Sequence, residues 1–131
     1  MQTKNIDKKI EVIVNYFNAV DAKDFESVSS LFDQNVEVFF PQSGLLKGLD
    51  SFNALNRELT KLIVSLDHDI ENFTYIISDT KIAVEGTESG TLQNNQSFKD
   101  NKFCSVFEID STTLLIKRMY VYTDPNFGTS H

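Results

Sequence analysis

The sequence predicts an α+β domain in which three N-terminal helices pack on a strongly curved antiparallel sheet. Apolar residues recur at helical spacing in the first half of the chain, whereas long strand-like segments separated by polar turns follow from residue 68 onward. Strands longer than the usual five or six residues twist and curl, so helices that cover one face enclose a conical space. We therefore expect a cone-shaped roll of order α-α-β-α-β-β-β-β with a pocket between its layers.

The helices are defined by their apolar faces and polar ends. The first is predicted over residues 5–20 and the second after Asp24, whose carboxylate can accept the amide hydrogens of a new turn. The second helix is expected to bury apolar residues as far as Phe32. The third follows a loop at residues 42–48, and its apolar stripe comprises Phe52, Leu55, Leu59, Leu62, Ile63 and Leu66.

The strands are predicted from β-branched and aromatic runs. A short strand covers residues 36–40 and is stopped by Pro41. Four long strands are expected over residues 68–77, 81–92, 98–109 and 113–123. Along the last strand Met119 and Val121 suit the interior, whereas Arg118, Tyr120 and Tyr122 suit the outer face.

Composition limits the class of protein. The 131 residues fit one domain over 1–131, and 12 Lys and Arg oppose 19 Asp and Glu for a net charge of -7. An acidic chain without a basic cluster is not expected to bind nucleic acid or a membrane. The single cysteine, Cys104, cannot form an internal disulfide, which favours a cytoplasmic location. Phosphate-binding and metal-ligand motifs are missing from the sequence, so no cofactor is expected.

Five segments occur in an order that resembles a known group of proteins: residues 15–32 (NYFNAVDAKDFESVSSLF), 47–52 (KGLDSF), 82–98 (IAVEGTESGTLQNNQSF), 103–109 (FCSVFEI) and 120–125 (YVYTDP). They are similar to the nuclear transport factor 2-like superfamily, and within it to the SnoaL-like and ketosteroid-isomerase-like branches. The resemblance implies a cone with one small-molecule pocket and a homodimer formed through the outer sheet face. It does not specify an activity, because one fold hosts many functions.

Asp21 and His68 are the strongest catalytic candidates. Residues 20–26 (VDAKDFE) and 66–72 (LDHDIEN) resemble the segments of the scytalone-dehydratase-like branch in which a carboxylate orients a histidine. Such a carboxylate fixes the tautomer and leaves the other ring nitrogen free as a general base. In the alternative, Asp21 only satisfies turn amides and His68 is a partly exposed residue at the start of a strand. Asp67 and Asp69 are equally able to pair with His68.

Other members of the superfamily suggest further site residues. Tyr16 matches the donor tyrosine of ketosteroid isomerases, but Phe40 occupies the position of the base and Ser105 lies near the second donor, so that reaction is not expected. Glu85 and Glu88 are three apart on one strand, and only one of them can face the interior. The pocket lining is expected to include Tyr16, Phe40, Phe52, Leu55, Met119 and Val121.

The leading functional hypothesis is a protein that binds a small, mostly apolar organic molecule. Cofactor-free proton transfer of the isomerase, dehydratase or cyclase type would then be carried out by Asp21 and His68. The alternative is a non-catalytic domain that binds a small molecule or stabilises a partner.

Overall fold

The computed structural model describes the backbone of residues 2–124 and the side chains of residues 5–124. Its helices are α1 (Gln2–Asp21), α2 (Phe25–Ser30) and α3 (Leu49–Leu62), with a 3-10 turn at Ile70–Asn72. Its strands are β1 (Phe32–Phe40), β2 (Gly44–Lys47), β3 (Ile63–His68), β4 (Thr74–Ile77), β5 (Ile82–Leu92), β6 (Ser97–Ile109) and β7 (Ile116–Thr123). Pro125, the end of the last resemblance segment, lies outside the described residues. No helix within the described range is long and apolar enough to cross a membrane.

The three helices lie on one strongly curled sheet, which confirms the α+β cone. The strand order is β2-β1-β7-β6-β5-β3, and β4 also pairs with β5. The sheet is mixed rather than purely antiparallel, because β1 runs parallel to β7 while the other pairs are antiparallel. Strand direction at this junction depends on the path of the whole chain, which hydrophobic periodicity does not encode.

Two predicted boundaries around β1 are wrong. Residues 42–48 contain a strand instead of only a loop, since Gly44 with φ of 75° allows the chain to turn back and pair Leu46 with Val38. Phe32 belongs to β1 and pairs with Ile116 rather than ending α2. Asp24 does cap α2 as predicted, through a hydrogen bond of 3.2 Å from the Ser27 amide to its carboxylate.

The end of α3 also differs from the prediction. Ile63 and Leu66 are not on the helical stripe, because α3 ends at Leu62 and the chain enters β3 at once. The consecutive β-branched residues Ile63 and Val64 favour a strand, and β3 pairs with the end of β5. His68 is therefore the last residue of one strand and not the first residue of a longer one.

Aromatic side chains fill the space between the helices and the sheet. Phe52 and Phe107 are fully buried, and Tyr16 packs edge-on against the rings of Phe17, Phe32 and Phe107. Such aromatic packing makes this part of the core dense.

Candidate functional site

Asp21 and His68 meet where α1 and β3 both end. The carboxylate of Asp21 accepts the His68 backbone amide at 2.8 Å and the His68 ring Nδ1 at 2.5 Å. The turn after α1 is fixed to the start of β3, since the Lys23 ammonium donates to the Ile63 carbonyl at 2.5 Å. The predicted pairing of these two side chains is therefore present in the structure. Asp67 and Asp69, the alternative partners, are both exposed.

Glu88 occupies the other side of the histidine. It is the direct cross-strand neighbour of His68, so the two side chains share the inner face of the sheet. Its Oε1 lies 3.3 Å from His68 Nε2, and its Oε2 accepts a hydrogen bond of 3.4 Å from the Asn101 side chain. The expectation that one imidazole nitrogen would be free is therefore wrong. Glu85 is exposed, which settles which glutamate faces inward.

Burial and charge act in opposite directions on the histidine. Burial by itself lowers the pKa of His68, but hydrogen bonds and charges from Asp21 and Glu88 outweigh it and raise the pKa to about 9. His68 is consequently an imidazolium at neutral pH, held between two carboxylates. We call Asp21, His68 and Glu88 the carboxylate–histidine cluster. His68 is 8% exposed and Glu88 is 6% exposed, so water screens their interaction weakly.

Aromatic rings form the wall beside the cluster. The ring centroids of Phe17 and Phe103 lie 4.7 and 5.4 Å from that of the His68 imidazole. Phe73 packs edge-on against both phenylalanines. Gly86 makes this packing possible, because a side chain there would overlap the Phe73 ring. These rings give the imidazole apolar surroundings on the sides that they cover.

Tyr16 is buried near the cluster. Burial first, and then the charges of Glu88 and Asp21, raise the pKa of its phenol far above the usual value. The hydroxyl therefore keeps its proton throughout the physiological range. Tyr16 can act as a hydrogen-bond donor but not as a base.

The other predicted lining residues divide into two groups. Phe52, Met119 and Val121 are buried in the core, whereas Phe40 and Leu55 are half-buried. Phe40 stacks on Phe52 with centroids 6.4 Å apart. On the other face of the sheet Cys104 is half-buried, and burial together with the charge of Glu85 raises the pKa of its thiol.

Two cavities lie away from these residues. One of about 520 Å³ separates the start of α1 from the turn between β4 and β5, and one of about 570 Å³ lies along β3, β5 and β6. Neither is lined by any of the eight predicted site residues, so the pocket expected between the layers is not one of these two. Among the side chains that the structure describes, no group of three or more His, Cys, Asp or Glu is arranged to hold a metal ion.

Several solved structures share the fold of this chain. A candidate polyketide cyclase from Xanthomonas campestris pv. campestris superposes with a TM-score of 0.80 at 14% identity, covering 92% of this chain and 93% of that one. A candidate isomerase from Bacillus subtilis gives 0.79 at 19% identity, with coverage of 92% and 89%. An NTF2-like protein of unknown function from Burkholderia pseudomallei gives 0.76 at 20% identity, with coverage of 89% and 91%. No curated protein matches the sequence.

The curled sheet, the covering helices and these neighbours define an NTF2-like cone. Within that class the SnoaL-like domain family matches residues 13–118, and the chain belongs to this family. The match extends from the middle of α1 into β7 and so includes the whole carboxylate–histidine cluster. The chain therefore has a small-molecule-binding fold.

Proposed function

We propose that this protein binds a small, mostly apolar organic molecule beside the carboxylate–histidine cluster and catalyses cofactor-free proton transfer of the isomerase, dehydratase or cyclase type. The observation that supports the proposal is a buried imidazole with a carboxylate oxygen within 3.3 Å of each ring nitrogen. We further propose that residues 1–131 act as one cytoplasmic domain.

The three side chains supply both partners of an acid–base reaction. Glu88 accepts a proton from the carbon next to a substrate carbonyl, while His68 donates its Nε2 proton to the carbonyl oxygen, which gives an enol. Asp21 holds the ring in place and balances its charge. A dehydration uses the same acid, because the leaving hydroxyl takes the His68 proton and departs as water.

The geometry also allows Glu88 and His68 to return to their starting protonation states. After one transfer Glu88 is protonated and His68 is neutral, and the two atoms involved are 3.3 Å apart. The proton can return from Glu88 to Nε2 directly when the product leaves. This step needs no cofactor.

Hydrogen–deuterium exchange at the carbon next to a ketone tests the proposal without knowledge of the natural substrate. The protein is incubated with 2-tetralone in deuterated buffer, and deuterium uptake is followed by NMR. His68→Gln and Glu88→Gln should each slow the catalysed exchange by about 10²-fold or more. Glu85→Gln is the matched control on the same strand and should retain the wild-type rate. Equal exchange in wild type and His68→Gln would refute proton transfer by this cluster.

A second candidate is a non-catalytic domain that binds a small molecule or stabilises a partner. It is favoured by the fact that both His68 nitrogens already contact carboxylates, as expected for an internal charge network. A stabilising ligand should then raise the melting temperature equally in wild type and in the Asp21→Ala/His68→Ala variant. Loss of that shift in the variant would favour a site at the cluster.

We also propose a homodimer through the outer face of the sheet. One cross-strand row on this face is largely apolar and spans six neighbouring strands: Leu45, Phe39, Tyr120, Val106, Ala83 and Ile76. A continuous, largely apolar row of this kind suits an isologous contact. Light scattering after size exclusion should give a dimer for wild type and a monomer for Val106→Asp. Asn94→Asp adds the same charge in a turn and should remain dimeric; a monomeric wild type would refute the dimer.

A further inference from the structure

Asn56 is a buried side chain whose amide hydrogens find no acceptor in the described part of the chain. It lies on the inner side of α3, one turn after the fully buried Phe52, and is 9% exposed. Its Nδ2 is completely buried and makes no hydrogen bond with any described residue. Buried polar groups in native proteins are nearly always satisfied, because an unpaired one destabilises the fold. An acceptor from outside the chain would remove this cost.

The surface of α3 next to Asn56 is apolar and only partly buried. In the first half of the helix Leu49 and Phe52 pack in or against the core. In the second half Leu55 and Leu59 are only half-buried and are not part of that cluster, and Leu62 is 58% exposed. This half of the helix therefore carries partly exposed aliphatic side chains beside a buried amide donor, which a ligand reaches when neighbouring side chains move.

We propose that Asn56 is a specificity-determining residue, whose Nδ2 donates a hydrogen bond to a carbonyl oxygen of an apolar ligand packed against Leu55 and Leu59. This assignment rests on the proposed binding function and adds a requirement for the ligand. A ligand with the oxygen pairs the buried donor, whereas a hydrocarbon of the same shape leaves it unpaired. Sites built to hydrogen-bond a ligand group discriminate against analogues that lack the group for this reason.

Two probes that differ by one oxygen test the assignment. 1-Tetralone carries a carbonyl where tetralin has a methylene, so the ratio of their dissociation constants isolates the oxygen. Wild type should bind 1-tetralone about 3- to 10-fold more tightly than tetralin, the effect expected for one hydrogen bond. Asn56→Leu, of similar size but without a donor, should bind both equally. Asn53→Leu, on the same helix and only half-buried, should retain the wild-type preference.

A second measurement holds even if Asn56→Leu folds poorly. The side-chain NH₂ signal of Asn56 in a ¹⁵N NMR spectrum of the wild type should shift further downfield at saturation with 1-tetralone than with tetralin. Asn56→Asp, which keeps the shape and replaces the donor by an oxygen, should lose the preference. An unshifted signal, an unchanged preference in Asn56→Leu, or failure of wild type to bind 1-tetralone would each overturn the assignment.

The outcome is separable from that of the proton-transfer proposal. The ketone preference and the deuterium exchange are therefore both measured in wild type and in Asn56→Leu. A ketone preference that is present in wild type and lost in Asn56→Leu, without catalysed deuterium exchange by wild type, supports Asn56 and rejects catalysis. Normal exchange in an Asn56→Leu protein that still prefers the ketone rejects Asn56 and supports catalysis.

Discussion

The raised pKa of His68 makes a quantitative prediction about stability and pH. The pKa of His68 is about 9 in the folded protein, against a model-compound value of 6.5 for an unfolded chain. Each pKa unit corresponds to about 1.4 kcal/mol, so protonation of His68 contributes about 3 kcal/mol to the free energy of unfolding. This is a large part of the stability of a single domain.

The sign follows from which state holds the proton. Below pH 6.5 His68 is protonated in both states and the full contribution is present. As pH rises from 6.5 towards 9 the unfolded chain releases the proton while the folded protein keeps it, so the contribution falls steadily. Above the folded pKa it has been lost. The ionisation of Tyr16 does not intervene in this range, because its pKa is raised far above it.

Urea unfolding at a series of pH values, followed by far-ultraviolet circular dichroism, measures this dependence. The wild type should lose about 3 kcal/mol of unfolding free energy between pH 6.5 and 9, and His68→Gln should not show that loss. Because both proteins retain His131, the difference between them isolates His68. Parallel pH profiles for the two proteins would refute an imidazolium held between Asp21 and Glu88.

Two further predictions concern the packing that holds the site. Gly90→Ala should destabilise the protein by about 1–3 kcal/mol, because a methyl group there overlaps the Ser65 backbone carbonyl; an unchanged urea midpoint would contradict this contact. Phe17→Ala should cost about 3–5 kcal/mol, since the ring packs among four other aromatic rings and against His68. Phe39→Ala, on the outer face, is its control and should cost less; equal losses in urea unfolding would contradict the central role of Phe17.

Periodicity predicted the elements better than their ends. The alternation that placed Met119 and Val121 inside and Tyr122 outside is confirmed. The hairpin at Gly44 and the start of β3 at Ile63 were missed, because a tight turn and an immediate helix-to-strand transition leave no polar gap between the two elements. The parallel pairing of β1 with β7 joins segments distant in sequence, and no local pattern specifies it.

The candidate site was predicted in part. The Asp21–His68 contact joins the ends of α1 and β3, 47 residues apart, and its prediction came from a resemblance rather than from spacing. Asn56 could not be identified, because an asparagine on a helical stripe is conspicuous only when its neighbours in space are known. The apolar stripe of a helix shows that such a side chain faces the core, but the sequence does not show which acceptors lie within hydrogen-bond distance of it.

Glu88 could have been found from the sequence by a stricter use of strand geometry. Ile82 and Val84 are apolar and begin β5, so the inner face of that strand continues at every second residue, which reaches Glu88 and excludes Glu85. A buried glutamate in this phase requires a cation on the neighbouring strand, because an unpaired buried charge is strongly destabilising. His68, the last residue of β3, supplies that cation. Asp21, the last residue of α1, lies beside it and supplies the second carboxylate. The cluster is therefore consistent with strand register and with the pairing of buried charges, and the pH dependence of unfolding measures that pairing.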